Sequence, residues 1–292
     1  MSYAVFTDGC SNLPGYILKE LDIQVLPCHY VLDGEPGLFE GDIDGFDTHG
    51  YYNKLRNGSS MKTSLLNTQL FLDHFRPTLE MGLDLIYVGM SSGISGTIQA
   101  ARIAAQELKE EFPERTIHIV DSLGAGFGTG LLACRAADLR AEGKTAREAG
   151  ELLDGEVMQT LQFFTVDDLN FLKRTGRVSG ATAAIGTVLN IKPILWGDPT
   201  GHIVALEKVR GKKKAIDAIV RLYRDKAISP ETRRVAISHG DCPEEAEILA
   251  RKIREIREPK ELIVCSHEPF TGAHVGPGML ALFFFGKKRT EK

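Results

Sequence analysis

The sequence has few features of a disulfide-stapled, metal-bound or membrane-spanning protein. Its five cysteines are widely spaced, odd in number and form no C-x-x-C pair, which argues against a disulfide framework and a structural zinc site. The longest uncharged apolar stretch, residues 279–285, is too short to cross a bilayer. The first residues lack the basic and apolar regions of a signal peptide. We therefore expect a cytoplasmic protein with reduced, mostly buried cysteines and no bound metal.

Strong charge of either sign is also missing. The formal net charge of the 292 residues is -4, which gives no general attraction to nucleic acid. Basic runs at residues 208–214 and 287–289 are local, and such runs usually form solvated surfaces. A chain of this length predicts two domains or one elaborated α/β domain.

A short apolar strand at residues 85–90 runs into the Ser/Gly loop 91–97 and then into helical sequence at 98–105. Such a junction offers backbone N–H groups, the positive end of a helix dipole and several hydroxyls, which together favour a carboxylate or a phosphate. The alternative is that Ser95 or Thr97 only caps the helix. This stretch by itself does not decide between the two.

Strands, helices and glycine turns alternate through the first half, which predicts a largely parallel sheet covered on both faces. The glycine-rich segment 124–130 does not follow G-x-G-x-x-G, so we interpret its glycines as close helix packing rather than a dinucleotide site. The pattern changes near Gly155. We expect an α/β N-terminal domain at 1–155 and a second, smaller α/β domain with some antiparallel pairing at 156–292.

Several local expectations accompany this outline. Residues 23–31 predict one strand, and residues 33–45 predict a surface excursion rather than packed structure. Asn67 is a candidate cap of the helix that follows it, as are Thr63 and Ser64. His274 stands in a Gly/Pro-rich stretch, predicted as a loop, just before the apolar run that must be buried.

A series of short segments, spread over nearly the whole chain, forms one ordered set. They are Thr7-Asp8, Thr63-Ser64, Ser91-Ser92-Gly93-Ile94-Ser95-Gly96-Thr97, Asp121-Ser122, 168–177, 189–195, 208–215 and His274-Val275-Gly276-Pro277-Gly278. In this order they resemble the DegV family of fatty-acid-binding proteins. Each segment is weakly informative alone, whereas the ordered set is highly specific.

The resemblance implies that the protein binds a long-chain fatty acid in a buried apolar tunnel and has no catalytic residues or cofactor of its own. By their positions in the motifs, Thr63, Ser95 and His274 resemble the partners of the fatty-acid carboxylate, with Ser64 close by. Arg210 resembles the arginine with which family members engage the catalytic subunit of a fatty acid kinase. That partner would bring ATP and phosphorylate the bound carboxylate.

The sequence also departs from the family pattern. Leu65-Leu66-Asn67 follows the Thr-Ser pair where the family usually has Gln-Pro-Ser, and Gly9 and Cys10 stand where serines are common. Two added leucines change the expected lining of the pocket mouth. The carboxylate partners are retained. We further expect a protonated His274 to assist carboxylate binding, so that binding weakens as the pH rises above its pKa.

Two other function classes remain open from the sequence. A serine hydrolase or phosphate-ester enzyme would use Ser64 or Ser95 as nucleophile and His274 as base, with Asp8 or Asp121 as the orienting group. No G-x-S-x-G elbow supports it. Alternatively, the protein is a stand-alone lipid carrier, with the basic residues around Arg210 only solvated.

Overall fold

The computed structural model describes residues 2–178 and 190–290, and the helix expected at 181–189 lies outside them. The chain forms two compact units. The first contains the residues up to Phe46 together with Met61–Val157, and the second contains Asp47–Ser60 and the chain from Met158 onwards. The chain thus passes into the second unit two residues after the expected boundary, and also makes an earlier excursion into it that the sequence division did not include.

The strands of the first unit are β1 (Tyr3–Asp8), β2 (Ile23–Leu26), β3 (Cys28–Leu32), β4 (Glu35–Phe39), β5 (Met61–Thr63), β6 (Asp84–Gly89) and β7 (Ile117–Asp121). The unit is built on a parallel four-stranded sheet with the strand order β2-β1-β6-β7. Every residue of the neighbouring strands β1 and β6 is buried, as expected for strands covered by helices on both faces. Its helices are α1 (Gly15–Glu20), α3 (Thr68–Glu80), α4 (Thr97–Glu111), α5 (Phe127–Ala141) and α6 (Ala146–Val157).

A small antiparallel sheet with the order β4-β3-β5 completes this unit. It corrects two expectations. The single strand expected at 23–31 is two strands in two sheets, because Pro27 separates them and cannot donate to a ladder. The segment expected to be a surface excursion is mostly exposed, as predicted, but it contains the regular strand β4, which pairs with β3 from Glu35 to Phe39.

The strands of the second unit are β8 (Thr160–Thr165), β9 (Ile191–Gly197), β10 (Ile203–Arg210), β11 (Arg234–His239), β12 (Glu261–Ser266) and β13 (Leu280–Phe285). They form a mixed six-stranded sheet with the order β10-β9-β8-β13-β11-β12. In this sheet β11 and β12 pair in parallel, and the other neighbouring strands pair antiparallel. Its helices are α2 (Thr48–Arg56), α7 (Asn170–Thr175), α8 (Lys212–Lys226), α9 (Pro243–Ile256) and α10 (Pro269–Val275).

Helix α2 belongs to the second unit through specific polar contacts. The Tyr51 hydroxyl donates to the Pro269 carbonyl at 2.8 Å, and the Tyr52 hydroxyl donates to the His267 carbonyl at 3.1 Å. Arg56 pairs with Asp241. No single-sequence pattern connects residues this distant along the chain, which explains why the excursion escaped the sequence division.

The apolar run at the end of the chain is buried, as expected. All six residues of β13 are buried, and Phe284 packs against Phe163 and Tyr223 within the core of the second unit. Across the described residues, the structure has no helix with the length and apolar character needed to traverse a membrane.

Gly130, in the first turns of α5, packs closely against its neighbours, as expected from the sequence. A Cβ added at Gly130 would collide with the Ser11 carbonyl oxygen and lie 3.1 Å from Leu13 Cδ2. A backbone atom cannot rotate away, so we expect Gly130→Ala to lower the free energy of unfolding by about 2 kcal/mol or more. Gly155→Ala in the exposed part of α6 meets no atom within 4 Å and is expected to raise it by about 0.5–1 kcal/mol. Urea unfolding of both variants measures the difference in sign.

Candidate functional site

The loop between β6 and α4 is ordered by its own hydroxyls. Ser91 is fully buried, and its Oγ accepts from the Gly93 N–H at 3.0 Å. The Ser95 hydroxyl donates to Thr97 Oγ1 at 3.1 Å and accepts from the Thr97 N–H at 3.3 Å. Ser95 therefore satisfies one N–H at the helix start, although the N-cap position itself is Gly96. The junction is therefore compatible with both an anion site and a helix cap. The Ser95 hydroxyl accepts from one N–H, and it also lies at the positive end of the α4 dipole.

The Thr63–Asn67 segment lies directly beside this junction. The Leu66 N–H donates to Thr97 Oγ1 at 3.3 Å, and a Cβ at Gly96 would lie 3.4 Å from Leu65 Cδ2. Thr97 Oγ1 thus accepts two hydrogen bonds, which leaves its own O–H as a donor. Thr63 ends β5, opposite Tyr30 of β3. The fold therefore brings two of the segments singled out in the sequence together around one hydroxyl.

Among the three candidates for capping α3, Asn67 has that role. Its side-chain oxygen accepts from the Leu70 N–H at 2.9 Å, and the N-cap geometry is extended. Thr63 and Ser64 are therefore not the N-cap of α3. Ser64 is exposed and lines a cavity of about 280 Å³ together with Leu65, Leu66 and Asn67. Small-molecule pockets span roughly 300–1,000 Å³, so this cavity suits one end of a ligand rather than a whole long chain.

The two carboxylates considered for a catalytic triad are committed to other groups. Asp8 Oδ2 accepts from the Tyr87 hydroxyl at 2.6 Å, and its Oδ1 accepts from the Cys10 N–H at 2.9 Å. Asp121 Oδ1 accepts from the Ser92 and Leu123 N–H groups. Neither carboxylate has a histidine partner among these contacts. Asp8 and Asp121 thus hold local hydrogen bonds that order the loops of the first unit.

His274 lies in the second unit, in the last turn of α10 rather than in a loop. The sequence prediction was wrong there because Pro269 occupies the first turn, where it favours a helix, while the glycines that suggested a loop end it. Burial lowers the pKa of His274 to about 4, assisted by the positive charge of Arg177. His274 is therefore neutral at pH 7. A bound carboxylate would have to raise this pKa for a protonated His274 to assist binding at pH 7, as expected from the sequence.

A buried polar chain fixes the start of α10. The residues are Ser238, His267, Thr271 and Glu268, all buried. His267 Nδ1 lies 2.8 Å from Ser238 Oγ, and its Nε2 lies 2.8 Å from Thr271 Oγ1. The Thr271 hydroxyl donates to Glu268, so it must accept from His267 Nε2–H, and Nδ1 must accept from Ser238. Each hydrogen bond in this series therefore has a defined donor and acceptor, and the last acceptor is the Glu268 carboxylate.

The sequence analysis did not predict this series of buried hydrogen bonds, although the sequence contains a signal for part of it. Glu268 also accepts from the Phe270 and Thr271 N–H groups as the N-cap of α10, and an acidic residue directly before a proline is a usable signal of a helix start. The contact of His267 with Ser238 leaves no such signal. It depends on β11 and β12 pairing in parallel, with Ser238 opposite Cys265.

The basic residues around Arg210 differ in their environments. Lys212 Nζ lies 3.1 Å from Asp167 Oδ1 and donates to the Gly278 carbonyl, so it is a structural residue. Lys208 and Arg210 are exposed on β10. Among the salt bridges of the described residues, neither of these two takes part. The alternation of the strand places them on one face.

The two buried histidines predict a loss of stability in mild acid. Burial also lowers the pKa of His267, to about 3. Between about pH 6.5 and pH 4 the unfolded chain binds more protons than the folded one at both histidines, so stability falls as the pH falls. We expect a loss of about 2 kcal/mol per histidine between pH 6.5 and pH 5.

Urea unfolding at pH 7 and pH 5 measures this loss, and His274→Gln should remove about half of it. His29→Gln, at an exposed position of β3, controls for the substitution itself. A His274→Gln variant that loses as much stability as the unsubstituted protein would contradict the assignment of the proton uptake.

Comparisons with known proteins extend over the whole chain. The model of the DegV family matches residues 2–287. A DegV domain-containing protein of Clostridium perfringens is 35% identical over 288 residues, covering 97% of each chain. The solved structure of a fatty-acid-binding DegV family protein from Thermus thermophilus is 28% identical, with a TM-score of 0.88 over 98% of this chain and 100% of that one. The fatty-acid-binding DegV of Bacillus subtilis is also 28% identical, with a TM-score of 0.84 and the same coverage. The chain therefore belongs to the DegV family.

Proposed function

We propose that this protein binds a long-chain fatty acid and holds its carboxylate through Thr63, Ser64, Ser95 and His274. The observation that carries the proposal is the junction at the start of α4. There the Thr63–Asn67 segment and the Ser95–Thr97 turn meet at the Thr97 hydroxyl. Hydroxyl donors beside the positive end of a helix suit a carboxylate. The fatty acids bound by the Thermus thermophilus and Bacillus subtilis relatives supply the ligand class.

The energetics divide between the two ends of such a ligand. Burial of the chain contributes about 0.8 kcal/mol per CH₂, so the tail supplies most of the affinity. A desolvated carboxylate needs hydrogen bonds to offset the cost of leaving water. The hydroxyls provide them, and a neutral His274 adds a further N–H donor. Arg177 supplies the permanent positive charge that acts on His274.

In this proposal the protein does no chemistry alone. It presents the bound carboxylate to the catalytic subunit of a fatty acid kinase, which brings ATP and forms the acyl phosphate. Arg210, exposed at the end of β10, is the proposed contact with that subunit. An exposed guanidinium suits this role because it offers five donors in a fixed geometry.

Native mass spectrometry of freshly purified protein tests the ligand class directly. We expect a population whose excess mass equals that of a fatty acid, and we expect delipidated protein to recover it from fatty acids of graded chain length. A protein that carries no acyl ligand and takes up none after delipidation would reject the proposal. A serine-directed covalent probe that labels the protein, but not Ser64→Ala or Ser95→Ala, would favour the hydrolase instead.

The head-group residues are tested by fatty-acid affinity. We expect Ser95→Ala and Thr63→Val each to weaken binding by about 10- to 100-fold, because a hydrogen bond to a charged group contributes about 1.5–3 kcal/mol. Ser92→Ala, in the same loop but exposed, is the matched control. The methyl ester of the same acid has no carboxylate, so the variants should bind it almost as the unsubstituted protein does. Equal losses for acid and ester would mean that the substitutions damage the fold rather than the head-group contacts.

A further inference from the structure

Two cysteines that are distant along the chain meet beside the first strand of the parallel sheet. In the register of β1 with β2, Asp8 lies opposite Leu26. Cys10 follows Asp8 by two residues, and Cys28 follows Leu26 by two residues. Cys10 and Cys28 are both buried, with their sulfur atoms 3.9 Å apart. Residue 9, between Asp8 and Cys10, is glycine. A Cβ there would lie 3.1 Å from Cys28 Sγ and 3.0 Å from a ring carbon of Phe39.

A buried carboxylate completes this group. One oxygen of Asp8 and the two sulfur atoms all lie within 4.8 Å of one another. Asp8 accepts hydrogen bonds from neutral donors, which are the Tyr87 hydroxyl, the Cys10 N–H and thiol, and the Met90 N–H. Burial raises the pKa of Asp8, against the effect of these donors. A cation bound beside this buried carboxylate would stabilise its charge.

We propose that Asp8, Cys10 and Cys28 form a binding site for a thiophilic divalent cation, with Zn²⁺ as the expected occupant. Two thiolates and one carboxylate select zinc over calcium or magnesium, which prefer oxygen ligands alone. Zinc–sulfur bonds of about 2.3 Å at a tetrahedral angle place two sulfur atoms about 3.8 Å apart. The observed 3.9 Å needs almost no movement. The Tyr87 hydroxyl holds the carboxylate in orientation, as partners of metal ligands commonly do.

The same distance disfavours a disulfide as the resting state of the pair. A disulfide requires sulfur atoms about 2.05 Å apart, so both side chains would have to move in a region where Phe39 and Cys28 already crowd Gly9. Because the ligands are buried, the ion is expected to enter as the chain folds. The proposal is independent of fatty-acid binding.

The experiment uses the full-length protein, expressed with zinc, purified with reductant and freed of loose metal by a chelator. Its metal content is then measured by mass spectrometry, and its affinity by competition with a chromophoric chelator. We expect about one zinc ion per chain. Cys10→Ser, Cys28→Ser and the near-isosteric Asp8→Asn should weaken binding by about 10- to 100-fold or more. Circular dichroism shows whether each variant is folded.

A complementary variant keeps the proposal testable if those substitutions impair folding. Cys134→Ser/Cys242→Ser/Cys265→Ser retains only the proposed pair, and it should bind zinc like the unsubstituted protein. Cd²⁺ added to it during refolding should give the ultraviolet charge-transfer band of a metal thiolate. Loss of zinc in this triple variant, or equal zinc in the Cys10→Ser variant, would overturn the proposal. So would an unsubstituted protein that stays metal-free after refolding with zinc and instead links Cys10 to Cys28 in a disulfide.

Discussion

Glu268→Ala is expected to lower the free energy of unfolding by about 3 kcal/mol, because three donors lose one acceptor. The Phe270 N–H, the Thr271 N–H and the Thr271 hydroxyl all donate to this carboxylate. The side chain is fully buried, so water cannot replace it without opening the structure. Each stranded buried donor costs about 1–3 kcal/mol, and some relaxation of α10 reduces the sum.

We expect the Glu268→Ala substitution to disturb the neighbouring hydrogen bonds as well. With its acceptor gone, the Thr271 hydroxyl no longer has a defined direction, and the hydrogen bond that it accepts from His267 Nε2 loses its orientation. Ser238 lies at the far end of the same chain. His274 lies at the other end of α10, a helix of only seven residues. We therefore expect fatty-acid affinity to fall together with stability.

Urea unfolding followed by circular dichroism measures the stability change. Glu268→Gln keeps one oxygen acceptor and should lose about half as much. Glu244→Ala is the matched control, since it removes an exposed acid from the first turn of another helix that begins with proline. It should cost at most about 0.5 kcal/mol. If Glu268→Ala costs no more than Glu244→Ala, the chain of buried hydrogen bonds does not stabilise α10.

The sequence predicted local structure best where one element carries its own signal. The strand at residues 85–90, the Ser/Gly loop and the helix after it are all present. The apolar run, the turn residues and the helix start follow one another directly in the sequence, so each is predicted by a local signal. The apolar run in β13 is buried for the same reason. Pro27 was the readable signal that the prediction overlooked, and it separates β2 from β3.

Distant partners were beyond the reach of local pattern. The cysteines at positions 10 and 28 gave no spacing signal, since their contact arises from the register of β1 with β2. The Tyr52 hydroxyl finds its acceptor 215 residues away. The low pKa of His274 could not be predicted from the sequence either, because burial sets it and burial is a tertiary property.

Arg210→Ala is expected to lower the rate of acyl phosphate formation by roughly 30- to 1,000-fold at sub-saturating kinase subunit. An arginine at the centre of an interface commonly contributes about 2–4 kcal/mol to binding. The exposed Arg210 ends β10 opposite Ile191, and Gly211 follows with a φ of 85°. Its backbone is thus held by the β10–β9 ladder, so that little conformational freedom is lost when a partner binds.

The matched control is Lys208→Ala, two residues earlier on the same face of β10 and also exposed. It removes the same charge without removing a planar guanidinium. If the partner responds only to net charge, both variants should lose activity equally, and the loss should disappear at high salt. If Arg210 makes a specific contact, Lys208→Ala should lose less than about 3-fold, and the Arg210 effect should persist at high salt.

Measuring fatty-acid affinity distinguishes a lost contact with the kinase subunit from a damaged fatty-acid site. Both variants should bind the acid as the unsubstituted protein does, since the carboxylate in this proposal is held by other residues. Product at the normal rate from Arg210→Ala would remove Arg210 from the interface. No product from the unsubstituted, acid-loaded protein with a competent cognate subunit and ATP would leave a stand-alone carrier, because the ligand would then be held without being presented. The kinase partnership thus depends on a rate, whereas the lipid-binding proposal depends on an affinity, and each can fail without the other.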